Sequence, residues 1–133
     1  MFIQDPISRF IGRQTCASIC CVDESGRPHC FTCFFAFDRD NSLLYFKSSP
    51  PSRHMQLLMK TPFVSGTILP DKLRIYAIEG IQFHGMWLPQ DHPLAYEASE
   101  RYHLKYPFAL AIAGEVFTIQ LQEIKMSKKI KVL

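Results

Sequence analysis

A serine-rich turn followed by a basic helix start is the part of this sequence with the clearest capacity for chemistry. Ser48, Ser49 and Ser52 come just after an apolar segment, and Arg53 and His54 follow them directly. Hydroxyl groups donate hydrogen bonds to phosphate oxygens, and an arginine guanidinium contacts two such oxygens at once. The first turn of a helix adds unpaired N–H groups and a partial positive charge. This combination predicts a phosphate-binding site.

Two prolines in this turn indicate where the helix starts. Pro50 favours an extended conformation at Ser49, which is the backbone that an N-cap residue adopts. Pro50 and Pro51 would then occupy first-turn positions, where the N–H group that proline lacks has no helical partner. The sequence therefore predicts a helix capped by Ser49. An ordinary capped helix with a surface arginine accounts for the same residues without any ligand.

Length and composition limit the classes of protein to which the chain can belong. Its 133 residues suffice for one domain, predicted over residues 1–133, and a content of 47% hydrophobic and 20% charged residues is typical of a globular protein. No apolar run approaches the roughly 20 residues needed to cross a bilayer. Asp5 and Pro6 interrupt the start of the chain, which argues against a secretory signal. A net charge of +3 without a groove-reading motif gives no support to nucleic-acid binding.

The five cysteines and five histidines show no metal-binding pattern. Cys30 and Cys33 are three residues apart in a predicted strand, so their side chains point to opposite faces and cannot easily share a metal ion. The cysteines lie in apolar, strand-like segments, and we expect reduced core thiols in a cytoplasmic protein. The histidines lack the spacing of a metal-binding helix. Ser18 and Ser65 lie in predicted strands and not in the sharp elbow of a hydrolase.

Strands separated by short turns account for most of the chain, and their hairpin-like spacing predicts a mainly β fold with short helices. We expect a closed or nearly closed antiparallel barrel of six strands. The predicted strands cover residues 15–22, 29–37, 43–47, 63–69, 73–86 and 115–121. The predicted helices cover residues 5–12, a segment from the serine turn to Pro62, and a segment from His92 to just before Pro107.

Some finer features follow from the same patterns. Gly80 and Gly85 lie inside a predicted strand, which indicates a bulge or bend there. Glu97 and Arg101 are four residues apart on a predicted helix and should form an ion pair. The lysines near the end of the chain are predicted to form a solvated, frayed terminus; they are Lys125, Lys128, Lys129 and Lys131.

The sequence resembles the FMN-binding split-barrel superfamily of pyridoxamine 5′-phosphate oxidase-like proteins, and most closely its YhbP-like branch. The order of elements matches over most of the chain. Three segments contribute most to the resemblance: Ser52-Arg53-His54, Val64-Ser65-Gly66-Thr67-Ile68 and Ile78-Glu79-Gly80-Ile81-Gln82-Phe83-His84-Gly85. His54 stands where many members carry a second cation.

This resemblance implies a six-stranded split barrel that forms a homodimer and holds FMN in a groove between subunits. The phosphate would lie near the serine turn and Arg53, and the flavin ring would lie against the second strand. Contacts from the long hairpin or from the partner would complete the site. The candidate cofactor-binding residues are Cys30, Phe31, Thr32, Lys47, Ser48, Ser49, Ser52, Arg53, His54, Gln82 and Trp87.

The function implied by the resemblance is that of a flavin-dependent oxidoreductase or flavin reductase, with a nicotinamide or another small molecule as reactant. The flavin would supply the hydride chemistry, so no catalytic side chain is assigned. The alternative is a non-catalytic binding protein of the same fold that carries haem, another planar ligand or no cofactor. One histidine beside an aromatic groove could serve as an axial haem ligand.

Overall fold

A computed structural model describes residues 2–75 and 77–130 of the protein. Helix α1 spans Asp5–Arg13, α2 spans Arg53–Lys60 and α3 spans Ala98–Lys105, and short 3-10 segments cover Pro93–Ala95 and Pro107–Ala111. The strands are β1 (Cys16–Val22), β2 (Pro28–Asp38), β3 (Leu43–Ser48), β4 (Phe63–Ile68), β5 (Ala77–Leu88) and β6 (Glu115–Ile130). Within the described ranges, no helix has the length and apolar character required to span a membrane.

The strands form a closed antiparallel barrel in the order β1-β2-β3-β6-β5-β4, and β4 pairs with β1 to complete the circle. This confirms the predicted fold class. A turn in which the Asp23 carboxylate accepts the N–H groups of Ser25 and Arg27 joins β1 to β2. The ladder between β5 and β6 changes register at His84 and Gly85, which confirms the predicted irregularity at Gly85. Gly80 lies in regular pairing opposite Ser127.

Apolar side chains fill the barrel and attach helix α3 to its outside. Phe35, Phe46 and Phe117 are among the side chains buried inside the barrel. A second cluster lies on the outer face of β2 and β3, where Tyr45 packs with Tyr102 and other residues of the α3 region. Burial of large aromatic and aliphatic surfaces is the main force that stabilises both clusters.

A buried carboxylate ties α3 to the outer cluster. Asp38 is 1% exposed; it accepts hydrogen bonds from the Tyr45 hydroxyl at 3.1 Å and the Asn41 side-chain amide at 3.0 Å. Arg101 of α3 lies 3.6 Å from the same carboxylate and also forms the predicted ion pair with Glu97. Burial alone would raise the pKa of Asp38, but the hydrogen bonds and the nearby guanidinium hold it below its ordinary value.

The prediction that Ser49 caps α2 is wrong. The helix starts at Arg53, and Ser52, with an extended backbone at φ −62° and ψ 155°, is its N-cap residue. The N–H of Ser52 donates to the Ser49 carbonyl at 3.0 Å, so Pro50 and Pro51 lie in a turn before the helix. The physical reason is that Pro51 disfavours the helical conformation at Pro50, which a helix capped by Ser49 would require.

Three other sequence-based boundaries also change. β5 begins at Ala77 and not at Leu73, and the predicted helix after His92 divides into a 3-10 turn and α3. The basic terminus is not frayed as far as Ile130, because β6 continues to that residue and Lys128 lies 3.5 Å from Glu79 on β5. Lys131 lies outside the described residues.

The expectation of core thiols holds for only part of the cysteine set. Cys21 is buried, Cys20 and Cys33 are half-buried, and Cys16 and Cys30 are exposed. Cys16 and Cys30 both lie on the outward-facing side of their strands, β1 and β2. Over residues 2–75 and 77–130, no cluster of three or more histidine, cysteine, aspartate or glutamate side chains could hold a metal ion.

Candidate functional site

The candidate site lies where β2 and β3 separate. Their ladder runs from Asp38 opposite Leu43 to Phe35 opposite Phe46, and it extends no further. β3 nevertheless continues along β6, where Lys47 pairs with Val116 and Ser48 with Glu115. The end of β3 therefore stays with β6 while the start of β2 stays with β1. We call the resulting gap the β2–β3 split.

A pocket of about 230 Å³ occupies the β2–β3 split. Consecutive residues of β2 and of β3 line it, and α2, α3 and the start of β1 each contribute one side chain. The lining residues are Cys16, Phe31, Thr32, Cys33, Phe34, Phe46, Lys47, Ser48, His54 and Tyr102. A larger hollow of about 460 Å³ runs along the outside of β1 and shares Cys16 and Thr32 with the pocket.

The backbone of β2 presents hydrogen-bonding groups to this pocket. The Phe35 N–H of β2 donates to the carbonyl of Thr15, the residue before β1, at 2.9 Å, so positions 15 and 35 correspond to a hydrogen-bonded pair of the β1–β2 ladder. Because such pairs alternate along an antiparallel ladder, Thr32 and Phe34 direct their N–H and C=O groups away from β1. The β2–β3 ladder ends at Phe35 opposite Phe46, a position whose pairing uses the Phe34 carbonyl, and it does not reach Thr32. The main-chain donor and acceptor of Thr32 therefore face the split.

His54, in the first turn of α2, closes one end of the pocket. Its ring stacks on Phe31 with the centroids 3.9 Å apart and the planes 13° from parallel. Its Nε2 atom lies 2.6 Å from the Ser48 hydroxyl and 3.2 Å from the Ser52 hydroxyl. Burial, followed by the nearby charge of His29, lowers the pKa of His54 below its ordinary value. The neutral imidazole is therefore the form that the site favours when no anion is bound.

The first turn of α2 lacks a side-chain cap. The hydroxyl of Ser52 contacts His54 and makes no hydrogen bond to the helical N–H groups. A helix start in this state offers backbone donors and a partial positive charge to an anion. It lies directly beside the Ser48 hydroxyl, so several neutral donors converge at this end of the pocket.

Arg53 points away from the pocket. Its guanidinium pairs with Glu24 in the β1–β2 turn at 3.3 Å, and Lys60 at the far end of α2 approaches the same carboxylate at 3.8 Å. The side chains of Arg53 and Glu24 are each about half exposed, at 52% and 54%. An exposed ion pair of this kind contributes little to stability and can rearrange at small cost.

Lys47 lines the pocket with its stem while its ammonium group is engaged elsewhere. The ammonium group donates to the Ala109 carbonyl at 2.6 Å and lies 3.1 Å from Nε2 of His103. These contacts join the end of β3 to α3 and to the 3-10 segment after it. They also help to hold β3 away from β2 at the split.

The structure brings together some of the predicted site residues and separates others. Phe31, Thr32, Lys47, Ser48 and His54 line the pocket, and Cys30, Ser49, Ser52 and Arg53 flank it. Gln82 is exposed on β5, in register with Thr67 and Lys125. Trp87 is half-buried at the barrel interior with its ring 6.5 Å from Phe117. Neither Gln82 nor Trp87 lines the pocket.

Sequence reasoning missed half of the pocket lining. Cys16 and Phe34 are direct partners across the β1–β2 hairpin, but numbering outward from the predicted turn at residues 23–26 is one residue out of register and would have paired Cys16 with Cys33. Cys33 and Phe46 could have been predicted, because they occupy inward-facing positions in the alternating patterns of β2 and β3. Tyr102 comes from α3, and no local pattern in the sequence indicates that this helix packs beside the split.

Comparison with known sequences places the chain in a family. No family model matches the chain. A UPF0306 protein from Yersinia pestis biovar Antiqua (strain Angola) is 30% identical over 121 residues, which cover 91% of this chain and 82% of that protein. The chain belongs to the UPF0306 family. Another UPF0306 protein, from Photorhabdus laumondii, is 29% identical over 121 residues, which cover 91% of this chain and 84% of that protein.

Several solved structures share the fold of this UPF0306 chain. An FAD-binding protein from Mesorhizobium loti superimposes with a TM-score of 0.72 at 14% identity, covering 96% of each chain. HutZ, the haem storage protein from Vibrio cholerae, gives a TM-score of 0.67 at 17% identity, covering 98% of this chain and 95% of that one. These similarities confirm the split-barrel fold.

Proposed function

We propose that this protein binds FMN in the β2–β3 split, with the flavin ring between the strands and the phosphate at the first turn of α2. The observation that carries the proposal is the unpaired edge of β2 at Thr32, which faces a pocket with aromatic walls. We also propose that the protein belongs to the YhbP-like branch of the split-barrel proteins, as its sequence motifs indicate.

The pocket suits a flat, partly polar ring. Phe31 and Phe46, whose ring centroids are 5.6 Å apart, supply apolar walls together with the half-exposed Phe34. The main-chain groups of Thr32 supply a donor and an acceptor for the polar edge of the ring. Small-molecule sites commonly combine apolar walls with a few placed polar groups in this way.

The phosphate end of the proposed site relies on neutral donors and one cation, Arg53. The Ser48 and Ser52 hydroxyls, the His54 ring and the first-turn N–H groups of α2 lie together. Arg53 follows Ser52 directly, and a phosphate dianion would compete with Glu24 for its guanidinium. Glu24 is the less favourable partner because its single charge is exposed to solvent.

Two of the structural neighbours support a planar ligand in this fold. The Mesorhizobium protein is described as FAD-binding and the Vibrio protein as a haem storage protein. A bound flavin would supply hydride or electron transfer, while the residues of this chain bind, orient and shield it. We therefore propose a flavin-dependent oxidoreductase or flavin reductase that uses a nicotinamide or another small molecule. Nicotinamide oxidation by the FMN-loaded protein is the assay for this activity.

We further propose that the protein acts as a homodimer in which a second copy covers the open side of the pocket. The pocket volume of about 230 Å³ is below the roughly 300 Å³ at which small-molecule sites begin. Phe34, which lines it, is 56% exposed. Gln82 remains a candidate for contact with the ligand of the partner. Sedimentation of the protein with and without FMN tests the dimer.

Titration with FMN and with riboflavin tests the binding site. Flavin fluorescence should be quenched as purified protein is added. Arg53→Ala should weaken FMN binding by roughly 10- to 150-fold, the value of one charge-assisted hydrogen bond to phosphate. Riboflavin lacks the phosphate, so the same substitution should leave its affinity unchanged.

Lys60→Ala is the matched control, because Lys60 also approaches Glu24 but lies at the opposite end of α2. It should change FMN affinity less than about fivefold, as an exposed ion pair does. Equal effects of the two substitutions, or a protein that binds neither flavin, would contradict the proposal.

Haem is the second candidate ligand, and one observation favours it. His54 lies in an aromatic-lined pocket, where an imidazole could ligate haem iron. Its Nε2 atom is already within 2.6 Å of the Ser48 hydroxyl, which favours the flavin instead. A Soret band that appears on addition of haemin and disappears in His54→Ala would support haem binding.

A further inference from the structure

Two cysteines face each other directly across the β1–β2 hairpin. Cys20 pairs with Cys30 in the ladder, five residues to either side of the turn residue Ser25. The N–H of Phe35 donates to the Thr15 carbonyl and the N–H of Asp23 donates to the Arg27 carbonyl, each at 2.9 Å. These bonds mark the hydrogen-bonded positions, and strict alternation makes Cys20 and Cys30 a non-hydrogen-bonded pair.

This kind of pair brings two side chains close together. Cα atoms of a non-hydrogen-bonded pair are about 4.5 Å apart, which falls within the range of about 4.4 to 6.8 Å that disulfides span. Cys30 is exposed and Cys20 is half-buried, so small reagents can reach the pair from solvent.

The other three cysteines lack such a partner across the ladder. Cys16 faces Phe34, Cys21 faces His29 and Cys33 faces Ala17. All five cysteines of the sequence lie in the described part of the chain. The β1–β2 ladder therefore offers one cross-strand thiol pair, Cys20 and Cys30.

We propose that Cys20 and Cys30 form a reversible dithiol–disulfide site that reacts with low-molecular-weight disulfides of the glutathione class. The Cys30 thiolate attacks one sulfur of the small disulfide, a mixed disulfide forms on Cys30, and one small thiolate leaves. The Cys20 thiolate then attacks the Cys30 sulfur, the cross-strand disulfide forms, and the second small thiolate leaves. The two protein thiol protons end on the two released thiols, so one small disulfide is reduced for each protein disulfide formed.

The surroundings of the two sulfurs support this order of attack. Cys30 is the more exposed, so it meets the incoming disulfide first. Burial, and then contact with Cys30, raises the pKa of Cys20, which favours its thiol form until a neighbouring disulfide is present. Cys20 is therefore the resolving cysteine. The dithiol site requires no flavin, so a failure of the flavin-binding tests would not contradict it.

Thiol counting and peptide mapping of the full-length protein test the site. Reduced protein is incubated with glutathione disulfide, quenched with iodoacetamide, denatured and analysed by mass spectrometry. The expected result is the loss of two of the five free thiols and of two hydrogen atoms, with a crosslink between the peptides that contain Cys20 and Cys30. A protein that keeps five alkylated thiols, carries only stable glutathione adducts or links other cysteines would overturn the proposal.

Two substitutions separate the roles of the cysteines. Cys20→Ser should accumulate a stable mixed disulfide on Cys30, because the resolving thiol is missing. Cys16→Ser, which removes an exposed thiol that faces Phe34, should form the crosslink as the natural protein does. Circular dichroism checks that each variant is folded. Crosslinking in Cys20→Ser through another cysteine, or its loss in folded Cys16→Ser, would contradict the assignment.

Discussion

Replacing the buried carboxylate of Asp38 should destabilise the protein strongly and specifically. Asp38→Ala removes the acceptor for the Tyr45 hydroxyl, for the Asn41 backbone and side-chain N–H groups, and for Arg101. The carboxylate and Tyr45 are each 1% exposed, so the Tyr45 hydroxyl left behind has little access to water as a substitute. Because Arg101 belongs to α3, the same substitution also loosens the helix that supplies Tyr102 to the pocket.

The size of the effect follows from these partners. The Tyr45 hydroxyl donates to a charged acceptor, and such a bond is worth about 1.5 to 3 kcal/mol. The Asn41 contacts lie nearer the surface and add about 0.5 to 1.5 kcal/mol each. Arg101 is 41% exposed and 3.6 Å away, so its share is small. We expect Asp38→Ala to lower the free energy of unfolding by about 3 to 5 kcal/mol.

A double-mutant cycle isolates the central hydrogen bond. Tyr45→Phe alone should cost about 1.5 to 3 kcal/mol. The double variant should be less destabilised than the sum of the two single variants by about 1 to 2 kcal/mol, because each single change already removes the shared bond. Additive effects would refute the idea that Asp38 and Tyr45 act as a unit.

Urea unfolding provides the assay, and the chain carries its own probe. Trp87 is the only tryptophan of the sequence, and its ring packs beside Phe117 in the barrel. Asp40→Ala is the matched control, since it removes an exposed carboxylate from the same turn and should change stability by less than about 0.5 kcal/mol. Equal effects at positions 38 and 40 would mean that the buried network contributes nothing.

The pKa of Asp38 adds a second readout of the same prediction. Because the folded state lowers this pKa below its ordinary value of 3.8, the ionised carboxylate stabilises the protein above that pH. This contribution should be lost progressively as the pH falls below 3.8 and through the lowered folded-state pKa. Asp38→Ala should show a shallower acid dependence than the natural protein over that window.

Other predictions concern the barrel and the site. Gly85→Ala would place a Cβ atom 2.6 Å from the Gln120 carbonyl oxygen and should cost about 1 to 3 kcal/mol in urea unfolding. Gly12→Ala in α1, with nothing within 4 Å, should instead stabilise by about 0.5 to 1 kcal/mol. Folding lowers the pKa of His54 below its ordinary value of 6.5, so protonation favours the unfolded state. The contribution of His54 to the free energy of unfolding should therefore be fully present above pH 6.5 and should decrease as the pH falls below 6.5. His54→Gln should remove this dependence when melting temperature is measured against pH; an unchanged profile would contradict the lowered pKa.

The sequence predicts the barrel well because strand signals are local. Alternating apolar residues, together with turns at Asp23 and at Asp38, place β1, β2 and β3 within one or two residues of their observed bounds. Antiparallel order follows from short connections, since neighbouring strands in sequence then tend to pair. The irregularity at Gly85 is also readable, because glycine inside a strand indicates a bulge or a close backbone approach.

The misplaced features depend on contacts between distant residues or on competition within a turn. The prediction that Arg53 binds phosphate stays a prediction, but sequence reasoning missed its ion pair with Glu24, which is 29 residues earlier in the chain. The Ser49 cap fails because Pro51 disfavours a helical backbone at Pro50, where a helix capped by Ser49 would begin. The Cys20 and Cys30 pair needs the exact ladder register, and sequence reasoning instead compared Cys30 with Cys33, its near neighbour in the chain.

The position of the β2–β3 split explains why a ligand site can exist in so small a barrel. β3 is held to β6 beyond Phe46 by further strand pairing, and Lys47 is anchored to the Ala109 carbonyl. β2 is held to β1 over the same stretch, so the main-chain groups of Thr32 have no strand opposite them. Unpaired backbone groups beside an apolar pocket are costly unless water or a ligand satisfies them. A planar ligand with a polar edge would replace the missing strand pairing, and by mass action its binding should raise the unfolding temperature in proportion to the logarithm of its concentration.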